Sequence, residues 1–300
     1  MADALRVVVT GGSGHVGRWM VPLLLQRGHQ VINVDRQPGE SDARFIEGDV
    51  LDREFIKPIL AECDAVCHCA EIAGPRGPSD EVFSNNTRAC AVVLQAAADL
   101  GLRHSVYCST CQVYGTWGPG WVAPARLPID ENERINPRNV YSVSKAANEL
   151  FAQNLSRERG HGISIFRFPW VVFDAKQEQW LRQLAKSDGK LNEGMNTFIH
   201  GEDLALAFAL AIEKALPGCE VYNLAAADVL SGVPLRERIA RYHPDFPPLP
   251  ANWPDRKSPL LIEKAEKMLG WRPKLNPDVF ASQRASQLPE FQIESEPGGH

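Results

Sequence analysis

With 300 residues, 44% of them hydrophobic and 23% charged, the chain has enough apolar content to bury a large core and is not disordered. A formal net charge of -5 without any long basic run argues against a nucleic-acid partner held through its phosphates. No apolar run approaches the roughly 20 residues of a membrane span, and the opening MADALRVVVTGG leads into a strand pattern without a signal-peptide layout, so a cytoplasmic protein with no membrane partner is expected.

In chain order, apolar runs alternate with helical patterns: LRVVVTG, a helix over 14–27, QVINVD, ARFIEGD, a helix over 52–61, AVCHCA, a helix over 82–100, then HSVYCST. Buried parallel strands read as continuous apolar runs and need crossover helices between them. Residues 114–137 carry Pro119, Pro124, Pro128 and Pro137 with Trp117 and Trp121, too proline-rich for a helix and long for a connection, which points to a functional loop. Val140, Val143, Ala147, Leu150, Phe151 and Leu155 predict a helix over 139–159, and GISIFRFP predicts a strand. Beyond Trp170 the pattern is less regular, with a strand at CEVYNLA and helices near 203–215, 232–242 and 260–269. The order implies an α/β protein: a doubly wound, Rossmann-type parallel sheet over 1–169 and a small C-terminal substrate-binding lobe over 170–290 that returns elements to the sheet. Residues 291–300 read as a disordered tail.

VVVTGGSGHVG is the strongest local signal. Gly11, Gly14 and Gly17 give GxxGxxG, while Gly12, Gly14 and Gly17 give GxGxxG, so one window satisfies two dinucleotide-binding spacings. Bare backbone lets a pyrophosphate approach, and its charge meets the positive end of the following helix. Asp35 closes VINVD, where a carboxylate accepts from both hydroxyls of an unmodified ribose; this favours NAD over NADP, although Arg36 beside it could meet a 2′-phosphate. In YSVSK, Tyr141 and Lys145 stand one helical turn apart, so a cation can sit beside a phenol and favour its ionised form. The same spacing also describes an ordinary helix-surface pair.

Seven cysteines, an odd number without a regular framework, fit reduced thiols. CDAVCHC (Cys63, Cys67, His68, Cys69) and CSTC (Cys108 to Cys111) have spacings that zinc or a redox pair could use. Both lie in or beside apolar strand-like runs, where cysteine serves as a small buried hydrophobe, so no metal is expected.

TGGSGHVG, GDV at 48–50, HCAE at 68–71, NNT at 85–87, STCQVYG at 109–115 and YSVSK occur in the order and spacing of the extended short-chain dehydrogenase/reductases. RFPWVVF, FIHGEDLALAF, VYNLA and KAEKMLGWRP agree, so nearly the whole chain resembles that family of NAD-dependent sugar epimerases and dehydratases. The resemblance implies Tyr141 as acid/base, Lys145 as the residue that lowers its pKa and holds the nicotinamide ribose, and Thr110 as the group that polarises the substrate oxygen. It adds Asn86 as a residue that orders the site and also borders the cofactor. For the cofactor it implies Gly11, Ser13, Gly14, His15, Val16 and Gly17 at the pyrophosphate, and Asp35 and Arg36 at the ribose. Asp49 and Val50 would lie at the adenine, Cys69, Ala70 and Glu71 along the pyrophosphate and ribose, with Cys108, Tyr141, Lys145, Phe168 and Pro169 completing the set. It also implies that the strands ending at Cys69 and Cys111 are neighbours, so that these two thiols could approach each other. A homodimer through the helices at 82–100 and 139–159 is expected as well, with Ala89, Ala96, Ala97, Ala146 and Ala147 allowing close approach.

Departures narrow the reading. Dehydratases of this kind resemble STDEVYG, whereas Cys111 and Gln112 stand here in place of the Asp-Glu pair, so elimination by that route is not expected. Trp170 stands where nucleotide-sugar enzymes carry asparagine, and Arg182 and Arg256 are candidate diphosphate clamps. The expected function is an NAD-dependent oxidoreductase or epimerase of a sugar or nucleotide-sugar. An NAD-dependent dehydrogenase of an unactivated sugar or small polyol, a non-catalytic NAD-binding sensor and a metal or thiol-redox protein are the alternatives.

Overall fold

The computed structural model describes residues 4–118, 120–174, 177, 195–229 and 233–275. Seven strands form one parallel sheet in the order β3-β2-β1-β4-β5-β6-β9: β1 (Arg6–Thr10), β2 (Gln30–Asp35), β3 (Arg44–Glu47), β4 (Ala65–His68), β5 (His104–Cys108), β6 (Ile163–Arg167) and β9 (Cys219–Asn223). The expected doubly wound α/β sheet is present. Within β1, Val7 and Val9 face one side and Val8 the other, and all three are fully buried because helices cover both faces.

On the first face, α1 (Gly17–Gln26) and α5 (Gly201–Lys214) bring Met20, Leu24, Phe208 and Ile212 against Val7, Val9, Val106 and Phe166. On the other, α2 (Arg53–Ala61) and α3 (Ser79–Asp99) set Ile56, Leu60, Ala89 and Val93 on Val8, Val34 and Val66. Next to α3 lies α4 (Val140–Arg159), whose Ala152 and Leu155 pack on Tyr107, Ile163 and Ile165. Helix starts follow local chemistry. Asp52 caps α2 by accepting from Glu54 N at 2.9 Å and Phe55 N at 3.2 Å, and Asn139 caps α4 in a reciprocal box with Ser142.

A second core gathers Val113, Tyr114, Trp117 and Ile129 of the proline-rich stretch with Leu235 and Ile239 of α6 (Leu235–Tyr242), Leu249 and Leu260. That stretch is thereby one wall of this second core, while α7 (Glu263–Leu269) returns to pack near α5 and β9. Two short parallel strands that sequence periodicity missed, β7 (Trp170–Val172) and β8 (Phe198–His200), pair beside the main sheet. Arg182 and the tail lie outside the described residues. Among the described residues no helix is long and apolar enough to cross a membrane.

Candidate active site

Strand order reverses between β1 and β4, and at such a switch point the strand carboxyl ends leave a crevice. Gly11, Gly14, Asp35, Arg36, Asp49, Val50, Cys69, Ala70 and Glu71, all expected at the cofactor, line that cleft. Val34, Gly48 and Asn85 line it as well, which the sequence reading did not select. Gly11 has φ +71°, and a Cβ there would sit 2.8 Å from Ala70 N; at Gly17 it would meet Gly11 O at 2.3 Å. The glycines therefore press the start of α1 against the ends of β1 and β4, and Gly14 presents bare backbone to the cleft. Val16, the residue preceding α1, supplies no side-chain cap, so no side chain competes for the first N–H groups at this positive helix end.

Asp35 is held by its surroundings: Oδ2 accepts from Ser13 N at 3.1 Å and Oδ1 from Arg36 N at 2.7 Å. Gln37 N also donates to Oδ1 at 3.4 Å, so of the roughly four acceptor directions of a carboxylate about one is left for a ribose hydroxyl. Bare backbone at a helix start and a fixed carboxylate at the next strand end fit a dinucleotide.

Other expected cofactor residues flank the cleft rather than line it. Ser13 Oγ donates to Gln37 O at 2.7 Å and accepts from Asn33 Nδ2 at 3.0 Å. His15 stacks on Phe173 with centroids 5.0 Å apart, and its pKa is lowered by burial and then by Arg18 and Arg76. Phe168 holds Cys111 N through its carbonyl at 3.1 Å, and neither Phe168 nor Pro169 reaches the cleft lining.

Beside the cleft, Thr110, Tyr141 and Lys145 converge at the carboxyl end of β5. Thr110 caps the short 3-10 turn over 111–114, accepting from Gln112 N at 3.2 Å, and its side chain is near enough to the Tyr141 phenol to favour the ionised form. Lys145 Nζ lies 5.4 Å from the centre of the Tyr141 ring and 5.0 Å from that of Tyr107, and donates to Cys108 O at 2.6 Å. The lysine also forms an ion pair with Glu71, and both side chains are almost wholly buried. Glu71 accepts further bonds from Tyr107 Oη at 3.1 Å and Asn148 Nδ2 at 3.0 Å.

This carboxylate changes the electrostatics expected from YSVSK. Lys145 alone would favour phenolate, yet the Tyr141 pKa is raised: burial is the main cause, and Glu71 works against the lysine. Burial also raises Glu71, partly offset by Lys145 and the Tyr107 and Asn148 bonds. Burial alone would lower Lys145, but Glu71 and then Tyr141 reverse this and hold it firmly cationic.

Asn86 is buried and clamps rather than touches the reacting groups. Its Oδ1 accepts from Ile72 N at 2.8 Å and its Nδ2 donates to Ile72 O at 3.1 Å and Ser144 Oγ at 3.3 Å, tying the loop after β4 to α4. Sequence reasoning also missed a buried ion pair one turn beyond Lys145, Glu149 with Arg167, to which Ser109 Oγ donates. Among the candidate diphosphate clamps, Arg256 approaches Asp228 at 3.9 Å.

The expected approach of Cys69 to Cys111 is corrected. His68 pairs with Tyr107 across β4 and β5, so the next residues in register are Cys69 and Cys108, and their sulfurs lie 3.1 Å apart. Cys111, three residues on, turns into the second core. Among the described residues no group of three or more His, Cys, Asp or Glu side chains could hold a metal ion.

Residues 7–225 match the NAD dependent epimerase/dehydratase family. The chain belongs to this family. It is thus an enzyme of the extended short-chain dehydrogenase/reductase type, with NAD as the family cofactor. A UDP-glucose 4-epimerase of Streptococcus mutans is 26% identical over 318 residues, covering 91% of this chain and 93% of the relative. A dTDP-D-glucose 4,6-dehydratase of Homo sapiens is 25% identical, covering 91% and 86%. The UDP-glucose 4-epimerase of Bifidobacterium longum, solved with NAD+ and UDP, shares the fold with a TM-score of 0.68 at 23% identity, over 92% of this chain and 96% of that one.

Proposed function

We propose that this family member is an NAD-dependent oxidoreductase or epimerase of a sugar or nucleotide-sugar, with Tyr141 exchanging the proton at the reacting carbinol. The convergence of Thr110, Tyr141 and Lys145 beside a cleft that fits a dinucleotide carries the reading. Bound NAD supplies the acceptor and donor of hydride. The glycine turn would hold its pyrophosphate, Asp35 one ribose and Lys145 the other. Tyr141 then takes or returns the hydroxyl proton, and Thr110 polarises the substrate oxygen. Relatives that are UDP-glucose 4-epimerases and dTDP-D-glucose 4,6-dehydratases support an activated sugar. Elimination is disfavoured because Cys111 is wholly buried, with burial pushing its thiol well up, and the Gln112 amide accepts from Asn139 Nδ2 at 3.0 Å. A panel of UDP-, dTDP- and free sugars, assayed for epimeric products and NADH release, should give one or the other with at least one nucleotide-sugar. Failure of every member to react would overturn the reading.

We also propose a homodimer through α3 and α4. Of the alanines expected to mediate it, Ala89, Ala96 and Ala97 are wholly buried within the protomer on the sheet and Ala146 is buried, while Ala147 is half-buried. Phe83, Val143 and Leu150 instead expose large apolar side chains on these two adjacent helices, Leu150 at 63%. Light scattering at micromolar concentration should show a dimer that Leu150→Glu converts to a folded monomer. A monomeric unaltered chain would rule it out.

A further inference from the structure

The family resemblance accounts for Tyr141, Lys145 and Thr110, but not for a carboxylate buried against the lysine. Glu71 follows β4 at the edge of the cleft, and its side chain is only 3% exposed. Placing a charge there costs desolvation, so its surroundings must compensate. They do so closely: Lys145 supplies the counter-charge, and Tyr107 and Asn148 donate from β5 and α4. Asn148 also donates to Asn86 O at 3.1 Å and Tyr107 Oη at 2.8 Å, so the carboxylate belongs to a braced network.

We propose that Glu71 is a positioning residue: held by its pairing with Lys145, it keeps a negative charge beside Tyr141 that opposes the lysine cation, so that Tyr141 rests as a neutral phenol. This rests on the reading of Tyr141 as the proton-exchanging group. Among the described residues, the other groups around this cluster add no full charge at neutral pH. His68, from the end of β4, stands 3.9 Å from Glu71 and is pulled down to about 3, mainly by burial and then by Lys145, and is therefore neutral. Cys90 of α3 and Cys69 after β4 are thiols that burial, and for Cys69 first the bond from Cys108, push well above their usual range. Tyr107 of β5 is pushed up by burial and then by Glu71, and stays protonated. Cys108 directs its thiol at Cys69, while Thr110, Asn86, Ser144 and Asn148 are uncharged. Lys145 and Glu71 are thus the two opposed charges that govern Tyr141. A phenolate beside Glu71 would face a like charge, and a phenol does not. The site is therefore poised to donate a proton, and abstraction requires a change in the Lys145–Glu71 pairing.

The test uses the full chain without cofactor or substrate, labelled with [¹³Cζ]tyrosine. The Tyr141 resonance is assigned by its loss in Tyr141→Phe, and its position is followed against pH by NMR. Glu71→Gln should lower the Tyr141 ionisation midpoint by on the order of 1 unit, the usual size of a nearby like-charge effect. Because Glu71→Gln leaves a buried unpaired cation and could unfold, the comparison is repeated in Lys145→Gln, where the added Glu71→Gln again removes the carboxylate and should lower the midpoint. An unchanged midpoint in either folded comparison overturns the proposal. Neither measurement depends on turnover, so failure of the sugar panel leaves this result standing, and an unchanged midpoint leaves the sugar panel standing.

Discussion

Replacement of Tyr141 by phenylalanine is expected to lower turnover by about 10²-fold or more while cofactor affinity and melting temperature stay close to those of the unaltered chain. The ring remains, and with it the Lys145 ammonium 5.4 Å from its centre. What disappears is the hydroxyl that exchanges the proton, while the packing of the ring is kept. The pH dependence follows from the same environment. Burial and Glu71 raise the Tyr141 pKa, so in the direction that needs phenolate the rate should climb as pH rises above neutrality, and this limb should vanish in Tyr141→Phe. Lys145→Met differs, because it strips the counter-charge from a buried carboxylate as well as the cation beside the phenol; turnover and stability should fall together. A folded, cofactor-binding Tyr141→Phe variant with near-unaltered turnover would refute the assignment.

The parts of this site that depend on neighbours in sequence were legible, and those that depend on how strand ends meet were not. β1, β4, β5 and β6 could be read as apolar runs because helices bury both faces, whereas β7 and β8 are three residues each, too short for a period to show. Helix α3 starts at Ser79 rather than near Val82, since its first turn is polar and carries Asp80 and Glu81 at the positive helix end. The glycine turn, Asp35 and the Tyr141–Lys145 spacing are local signals, and the structure brings them to one region. Glu71 was selected as a cofactor neighbour, but its pairing with Lys145 spans 74 residues and no periodicity announces it. The contact between Cys69 and Cys108 is likewise a matter of register, in which a shift of three residues separates a touching pair from one divided between two cores. Val34, Gly48 and Asn85 each sit next to a residue that the motifs had marked, and it is the juxtaposition of β2, α3 and the turn after β3 that turns them toward the cleft.

Removing the Glu149 carboxylate is expected to cost about 3–5 kcal/mol of stability, the usual range for breaking a buried ion pair from one side. Glu149 is completely buried on α4, and the Arg167 side chain at the end of β6 is only 3% exposed. Arg167 Nη2 donates to Glu149 Oε2 at 2.5 Å and Nε donates to Oε1 at 3.0 Å, a two-pronged contact that a planar guanidinium suits. Burial alone would lower the Arg167 pKa, but the hydrogen bonds and charge of Glu149 hold it above its usual range, so without the glutamate the guanidinium stays charged and unneutralised. Arg167 also donates to Tyr114 Oη at 2.9 Å, which donates in turn to Asn223 Oδ1 at 2.7 Å, so the loss loosens the joint between α4, β6, β9 and the 111–114 turn that Thr110 caps. Denaturant unfolding should therefore show Glu149→Ala far less stable than the unaltered chain. Glu149→Leu with Arg167→Met, which removes both charges and keeps apolar volume, should recover most of that loss, because it is the uncompensated charge rather than the missing attraction that destabilises. A loss within about 1 kcal/mol for Glu149→Ala, or a double variant less stable than the single one, would show that the pair stabilises by another route. With the joint intact in the double variant, Tyr141 and Thr110 should remain in register and turnover should return with stability.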